Sequence, residues 1–294
     1  MQKIIPHLWF NKEATEAAEF YMSLFPNTRF LDLTVLQDTP SGTVDMVTIE
    51  LEGMQFMLLS AGPYFHFTPA VSFLIACTSI EEVDFLWKEL GEAGRVLMEL
   101  DSYPFSPRYG WLSDKFGVNW QIMLQKEGER KQKFTPTLMF VGDNCGRCEE
   151  AMGFYTSIFH DSSQRGILRY GDGLEYDLPG TIQHAEVTLE KIDFAAMDSA
   201  YDHDFTFNEA ISFIVNCDTQ EEMDYYWDKL SADPQAEQCG WLKDKYGVSW
   251  QISPIILNEM LKDENSQKRK KVMEAFLDMK KIDLSEIKKV YEEF

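Results

Sequence analysis

At 294 residues, with 45% hydrophobic and 14% aromatic side chains, the chain is long enough for two domains with their own cores and too apolar for a disordered one. Its formal charge of −22 excludes nucleic acid and anionic membrane as partners for most of its surface, and no apolar run approaches the ~18 residues of a membrane span. Nine basic and nine acidic side chains balance within residues 258–294, so the whole acidic excess lies in residues 1–257.

In chain order, residues 4–10 alternate as a strand does, starting directly after Met1-Gln2-Lys3 with no basic-then-apolar leader, so the cytoplasm is the expected compartment. Residues 13–25 carry Ala14, Ala17, Ala18, Tyr21, Leu24 and Phe25 on one helical stripe that stops at Pro26-Asn27. Strands are predicted near 29–37, 43–52 and 54–60, the last two joined by a tight turn at Glu52-Gly53. A strand over 70–77, a helix over 79–91 capped by Ser79, and a hairpin closing through Asp114–Gly117 into 118–124 complete a first module.

The same text then repeats. Residues 110–122 read GWLSDKFGVNWQI and residues 240–252 read GWLKDKYGVSWQI, identical at ten of thirteen positions. Ala70–Phe73 recurs as Ala210–Phe213, Phe20–Phe25 as Phe154–Phe159, and Glu81, Glu82, Trp87 and Leu90 as Glu221, Glu222, Trp227 and Leu230. The order is kept and only loop lengths change, so the chain is a tandem duplication. The expected division is a first module over 1–125, a basic polar linker over 126–133, a second module over 134–257 and a helical extension over 258–294. Each module reads as two βαβββ units, an α+β architecture. The extension patterns as helices over 255–263, 266–280 and 283–293, with Ser266 and Asp283 as caps, suited to covering an open sheet edge.

Strand alternation separates two faces. Leu8, Phe10, Val47, Ile49, Phe73, Trp120 and Ile122 form an apolar face that packs on the helices. The opposite face is mixed: Ile5, His7 and Trp9; Met46, Thr48 and Glu50; Ser72 and Leu74; Asn119, Gln121 and Met123. In the second module it carries Thr135, Thr137 and Met139, then His184, Glu186 and Thr188, then Ser212, Asn216, Ser249 and Gln251. Such a face is either the lining of an enclosed pocket, apolar with a few placed polar groups, or the wet side of a half-buried sheet. The pocket reading makes His7, Trp9, Glu50, Gln121, Met139, His184, Glu186 and Gln251 the ligand-binding candidates. Trp111 and Trp241 join them as pocket-lining rings, whereas Trp87 and Trp227, at helical spacing with leucines, belong to the core.

The segments EAAEFYMSLFP (16–26), EAISF with CDTQEEMDYYWDKL (209–230), CGWLKDKYGVSWQI (239–252) and VMEAFLDMKKIDLSEIKKVY (272–291) resemble the PhnB-like branch of the vicinal oxygen chelate superfamily, often labelled 3-demethylubiquinone 3-methyltransferase-like. The resemblance covers residues 4–257 and the tail. It implies paired βαβββ units whose curved sheets enclose a ligand pocket, commonly with a divalent metal. The metal-binding positions it implies hold Ile5 or Thr135, the Thr48/Glu50 or Glu186/Thr188 pair, Ala70 or Ala210, and Gln121 or Gln251. Isoleucine and alanine cannot ligate a cation and neutral glutamine is a poor ligand, so the expectation is no metal. The glycine cluster of a nucleotide-type cofactor site, as S-adenosylmethionine would need, is missing, which argues against methyl transfer.

Rival chemistries rest on fewer residues. His7 with Glu50, and His184 two along from Glu186 on the same strand face, could form a divergent one-cation site or an acid/base pair. Cys145-Gly-Arg-Cys148 sits before a helix, where the dipole and Arg147 would lower a thiol pKa. Cys239 has Tyr109 as its counterpart, so a nucleophile shared by both modules is impossible. The expectation is a metal-free protein that binds a small molecule, with a metal-dependent lyase, isomerase or dioxygenase of the superfamily, or a purely structural module, as alternatives. A tandem pair can complete its sheets within one chain, and a homodimer remains compatible with it.

Overall fold

Tight turns and capped helices lay out the first module. The computed structural model, which describes residues 2–39, 41–125 and 132–293, begins with β1 (Ile4–Phe10), α1 (Ala14–Leu24), β2 (Thr28–Thr39), β3 (Gly42–Leu51) and β4 (Met54–Ser60). Glu52 and Gly53 both take positive φ, 47° and 84°, the geometry of a two-residue hairpin turn. The second unit is β5 (Val71–Cys77), α2 (Ile80–Gly91), β6 (Arg95–Tyr103), β7 (Ser106–Ser113) and β8 (Asn119–Leu124). Ser79 caps α2, accepting from the Glu82 amide, as the sequence predicts.

The second module repeats the plan with one strand fewer. It holds β9 (Phe134–Phe140), a 3-10 turn at Gly142–Asn144, α3 (Cys148–Ile158), β10 (Ser163–Arg169), β11 (Ile182–Leu189) and β12 (Ile192–Asp198), then β13 (Ile211–Cys217), α4 (Gln220–Leu230), β14 (Trp241–Lys243) and β15 (Ser249–Pro254). Its second unit is thus βαββ rather than the expected βαβββ, because the short connection over 231–240 replaces the longer segment that carries β6 in the first module. Of the predicted linker, residues 126–131 lie outside the described residues.

The modules do not form separate sheets. One seven-stranded sheet has the order β14-β15-β13-β1-β4-β3-β2 and an eight-stranded sheet has the order β10-β11-β12-β9-β5-β8-β7-β6. Each sheet therefore joins one unit of the first module to one of the second. β1 runs antiparallel to β13, with His7 opposite Ser212, and β5 runs antiparallel to β9, with Ser72 opposite Thr137. The main core fills the space between sheets and helices, uniting Leu8, Phe10, Ile49, Phe73, Trp120 and Trp250 with α1 and α4 side chains such as Tyr21 and Tyr226.

The tail forms α5 (Ile255–Met260), α6 (Ser266–Leu277) and α7 (Leu284–Glu292). Asp283 caps α7 as predicted, but Asn265 rather than Ser266 caps α6, its Oδ1 accepting from the amides of Gln267 and Lys268. The segment between α6 and α7 covers the free side of β14: Cys239 donates its amide to Met279 O and Gly240 donates to Lys280 O, both at 2.8 Å. At the other end of the same sheet Lys262 reaches Asp32 on β2, 3.2 Å away. The tail thus closes an edge that in the other sheet is extended by β6.

Candidate functional site

The mixed faces point away from the main core and hold their own satellite clusters. On the seven-stranded sheet, Ile5, Met57 and Ile214 pack together with Met46 beside them. On the eight-stranded sheet, Tyr109, Trp111, Met139 and Val141 pack with Leu97, Met98, Tyr103, Met123, Met197 and Phe205. Polar residues on these faces are buried as well: His7, Ser72, Thr137, Gln121, Asn119, Ser212 and Ser249 are all at most 3% exposed. The centres of these faces are therefore buried rather than wet, while His184, Glu186 and Glu50 towards the sheet edges stay partly exposed.

The expected hollow is largely filled by these side chains. A hollow of about 290 Å³ lies at one end of the seven-stranded sheet, beside Gln2, Lys3, Asn216, Asp218 and Ile255. Another of about 180 Å³ lies near the other end, beside Trp9, Phe65, Phe67 and Phe116. The centre of each concave face is a packed polar network instead.

The two networks are built on equivalent residues. Gln121 Nε2 donates to Ser72 Oγ, and Gln251 Nε2 donates to Ser212 Oγ, each at 2.9 Å. On the eight-stranded sheet Tyr109 donates its hydroxyl to Gln121 Oε1 at 2.9 Å. On the seven-stranded sheet Ser212 Oγ, already accepting from Gln251, lies 3.3 Å from His7 Nδ1, within hydrogen-bond distance. Trp241 meets His7 edge-on at 5.3 Å and Trp9 at 6.0 Å. Burial holds the His7 imidazole neutral, lowering its pKa to about 3.

The swapped sheets re-sort the sequence candidates. His7, Trp9, Glu50 and Gln251 lie on one sheet, and Gln121, Met139, His184 and Glu186 on the other. His7 and Gln251 meet through Ser212. His184 and Glu186 meet directly, Nε2 to Oε1 at 3.2 Å, both about one-third exposed. His7 and Glu50 do not meet. The registers place Thr48, not Glu50, in the row of His7 and Met57, and Glu50 faces Arg29 on β2. Arg29 grips both Glu50 oxygens, at 2.9 and 2.7 Å, an exposed fork that neither its residue type nor its spacing singled out. The hubs Ser72 and Ser212 stand on the mixed face in the sequence reading, but are not among the ligand-binding candidates.

The thiols also differ from expectation. Burial, reinforced by the Asp198 carboxylate, pushes the Cys148 thiol well up, and burial raises Cys145 too, so the predicted activation by the helix end and Arg147 does not occur. Asp198 Oδ1 takes the amides of Gly146 and Cys148, occupying the helix N-terminus itself. Burial likewise raises Cys239, which is pinned against the tail.

The superfamily's divalent metal does not fit these residues. Ala70 and Ala210 offer no donor, Gln121 and Gln251 spend their amides on serines, and Glu50 is paired to Arg29. Among the described residues no three His, Cys, Asp or Glu side chains converge as a metal would require.

Sheets made from crosswise-paired units, three of them βαβββ and one βαββ, each sheet with buried polar side chains on the face away from the helices, match the vicinal oxygen chelate fold. The chain belongs to the family described as 3-demethylubiquinone-9 3-methyltransferase, whose sequence profile matches residues 2–123 and again residues 132–253. It is 37% identical to the PhnB protein of Bacillus cereus over 42% of this chain and 100% of that one, with a TM-score of 0.40. It is 22% identical to a protein of Pseudomonas aeruginosa over 41% of this chain and 96% of that one, with a TM-score of 0.36. Glyoxalase I of Zea mays aligns over 89% of this chain and 98% of its own at 12% identity and a TM-score of 0.52, a likeness of fold alone. A search of curated proteins finds no match.

Proposed function

We propose that the chain binds a small, largely apolar molecule with hydrogen-bonding groups on its concave faces, without a divalent metal, and that it transfers no methyl group. The observation that carries this reading is a set of buried polar atoms with no hydrogen-bond partner among the described residues: Trp111 Nε1, Asn119 Oδ1 and Ser249 Oγ. Asn119 and Ser249 are equivalent positions in the repeat, and Trp111 is one of the rings of the concave cluster. Leaving such an atom unsatisfied costs about 1–3 kcal/mol, a cost that a bound ligand would relieve. Met98, Met123, Met139 and Met197 surround Trp111 with flexible thioethers that can move aside for a guest.

The absence of a nucleotide-type cofactor site supports the second half. The strand-to-helix turns before α1, α2 and α4 contain no glycine, and Asp198 occupies the amides before α3. Among the described residues no helix is long and apolar enough to cross a membrane; the cytoplasm is the proposed location. Each sheet already draws on both modules, so the proposed binding needs no second copy.

Thermal unfolding against a panel of aromatic and aliphatic carbonyl compounds tests the reading. A compound at about a hundred times its dissociation constant adds roughly 2.7 kcal/mol. The expected hit loses much of its effect in Trp111→Phe or Ser212→Ala. A panel without any hit, or hits indifferent to both substitutions, would overturn the binding site. Stoichiometric metal in protein purified without chelators, lost in His184→Ala or Glu186→Ala, would overturn the metal-free part.

A further inference from the structure

The duplication supplies an internal comparison at the starts of α1 and α3. Each helix packs beside the ring that follows the turn aspartate, Phe116 in the first module and Tyr246 in the second. The surroundings match ring for ring. Phe10, Phe20 and Tyr21 stand 6.1, 5.9 and 6.0 Å from Phe116, and Phe140, Phe154 and Tyr155 stand 5.9, 5.8 and 6.0 Å from Tyr246. Lys115 and Lys245 hold their ammonium groups 4.8 and 5.0 Å from the respective rings.

Two members of the set differ: Tyr246 gives its hydroxyl to Glu150 Oε1 at 2.8 Å, a bond Phe116 cannot make, and the residue before the helix changes. The residue preceding α3 is Arg147, whose guanidinium lies 4.6 Å from the Tyr246 ring centre and donates to Asn144 Oδ1 at 3.0 Å. There Tyr246 and its neighbour Phe207 are buried, at 1% and 5% exposure. The residue preceding α1 is Glu13, so the same place receives a carboxylate in place of a cation. Phe116 and Phe67 are correspondingly half-buried, and the 180 Å³ hollow opens between Trp9, Phe65, Phe67, Phe116 and Glu13. Trp9 meets Phe65 edge-on at 5.1 Å, and its indole N–H is already given to Gly62 O; beside these rings the hollow presents Asn11, His66 and one acid, Glu13, whose Oε2 accepts the Lys12 amide at 2.9 Å.

We propose that this hollow binds an organic cation, an alkylammonium or guanidinium group, in the place that Arg147 fills in the second module. Aromatic faces and a carboxylate attract a desolvated cation, and a surface of net charge −22 raises the local concentration of cations. The site adjoins the His7 network through Trp9, which also meets Trp241, but takes no hydrogen bond from that network.

The test is an NMR titration of the full chain, following the Trp9 indole signal assigned with Trp9→Phe. Choline is compared with 3,3-dimethylbutan-1-ol, its uncharged carbon isostere. Choline is expected to saturate the signal and to bind about tenfold tighter than the alcohol, the selectivity of a partly desolvated cation–π site. Glu13→Arg, which restores the residue type of the second module, should abolish choline binding and raise the unfolding temperature. Glu13→Gln should weaken binding and provides the same comparison if the arginine variant does not fold. No choline binding, equal binding of the alcohol, or binding that survives both substitutions would overturn the proposal.

Discussion

Tyr21 donates its hydroxyl to Asp114 Oδ2 at 2.7 Å, and Tyr155 makes the same bond to Asp244 at 2.7 Å. The second donor to each Oδ2 is an indole, Trp120 or Trp250, while each Oδ1 caps its own turn through two backbone amides. This buried acceptor explains why thirteen residues recur almost unchanged: the Asp, the Gly of the turn and the Trp form one structural device. Tyr21→Phe is expected to lower the unfolding free energy by about 1.5–3 kcal/mol, the value of a hydrogen bond to a charged group. Asp114→Ala, which strands all four donors, is expected to cost more than about 4 kcal/mol. Urea denaturation measures both, and a Tyr21→Phe effect within error of zero would refute the role.

His7 predicts a pH dependence with a definite sign. Its folded-state pKa of about 3 lies below the unfolded value of 6.5, so between these values the unfolded chain binds a proton that the folded chain does not. Stability therefore falls as the pH drops from 6.5 toward 3, by up to about 1.4 kcal/mol per pH unit from this residue. Half-buried His203, also lowered by burial, acts in the same direction. Denaturation midpoints of wild type and His7→Gln across that window should converge in acid. Parallel curves would show that His7 is not the titrating group.

Arg29 and Glu50 form an exposed fork, with the arginine side chain 66% exposed. Arg29→Ala should change stability by less than about 1 kcal/mol. Neither wild type nor this variant should be stabilised by added magnesium, manganese or nickel, since freeing Glu50 supplies only one ligand. Saturable stabilisation by any of these ions in a thermal melt would contradict the reading of the site.

Gly240 should tolerate no side chain. It sits at φ 85°, and an added Cβ would lie 2.8 Å from Ile252 O and 3.1 Å from Ile282. Gly240→Ala is expected to cost roughly 2 kcal/mol or more, combining left-handed strain with a clash against the tail. Ending the chain after Pro254 would bare the edge of β14, and self-association by light scattering is the expected consequence. A monodisperse, equally stable truncation would show that the tail is dispensable.

The sequence made the duplication, the two strand faces and most helix ends legible, because alternation, caps such as Ser79 and Asp283, and the Glu52-Gly53 turn are local signals. Pairing between distant strands leaves no local mark. Glu50 reads as a pocket acid until β2 brings Arg29 opposite it, and His7 finds its partner in Ser212, 205 residues away. The Cys145–Cys148 prediction failed for a similar reason: Asp198, which blocks the helix end, comes from β12. Asn265 displaced Ser266 as a cap by a shift of one residue, within the usual slack of helix boundaries.

The crosswise sheets have a consequence for how this polypeptide must be made. β1 leaves the ribosome well before its antiparallel neighbour β13, which is synthesised some two hundred residues later. Until then half of one sheet lacks its partner, and a chain cut between the repeats would expose β1 and β13 as mutual docking edges. Supplying the two halves as separate polypeptides should therefore rebuild the molecule by association.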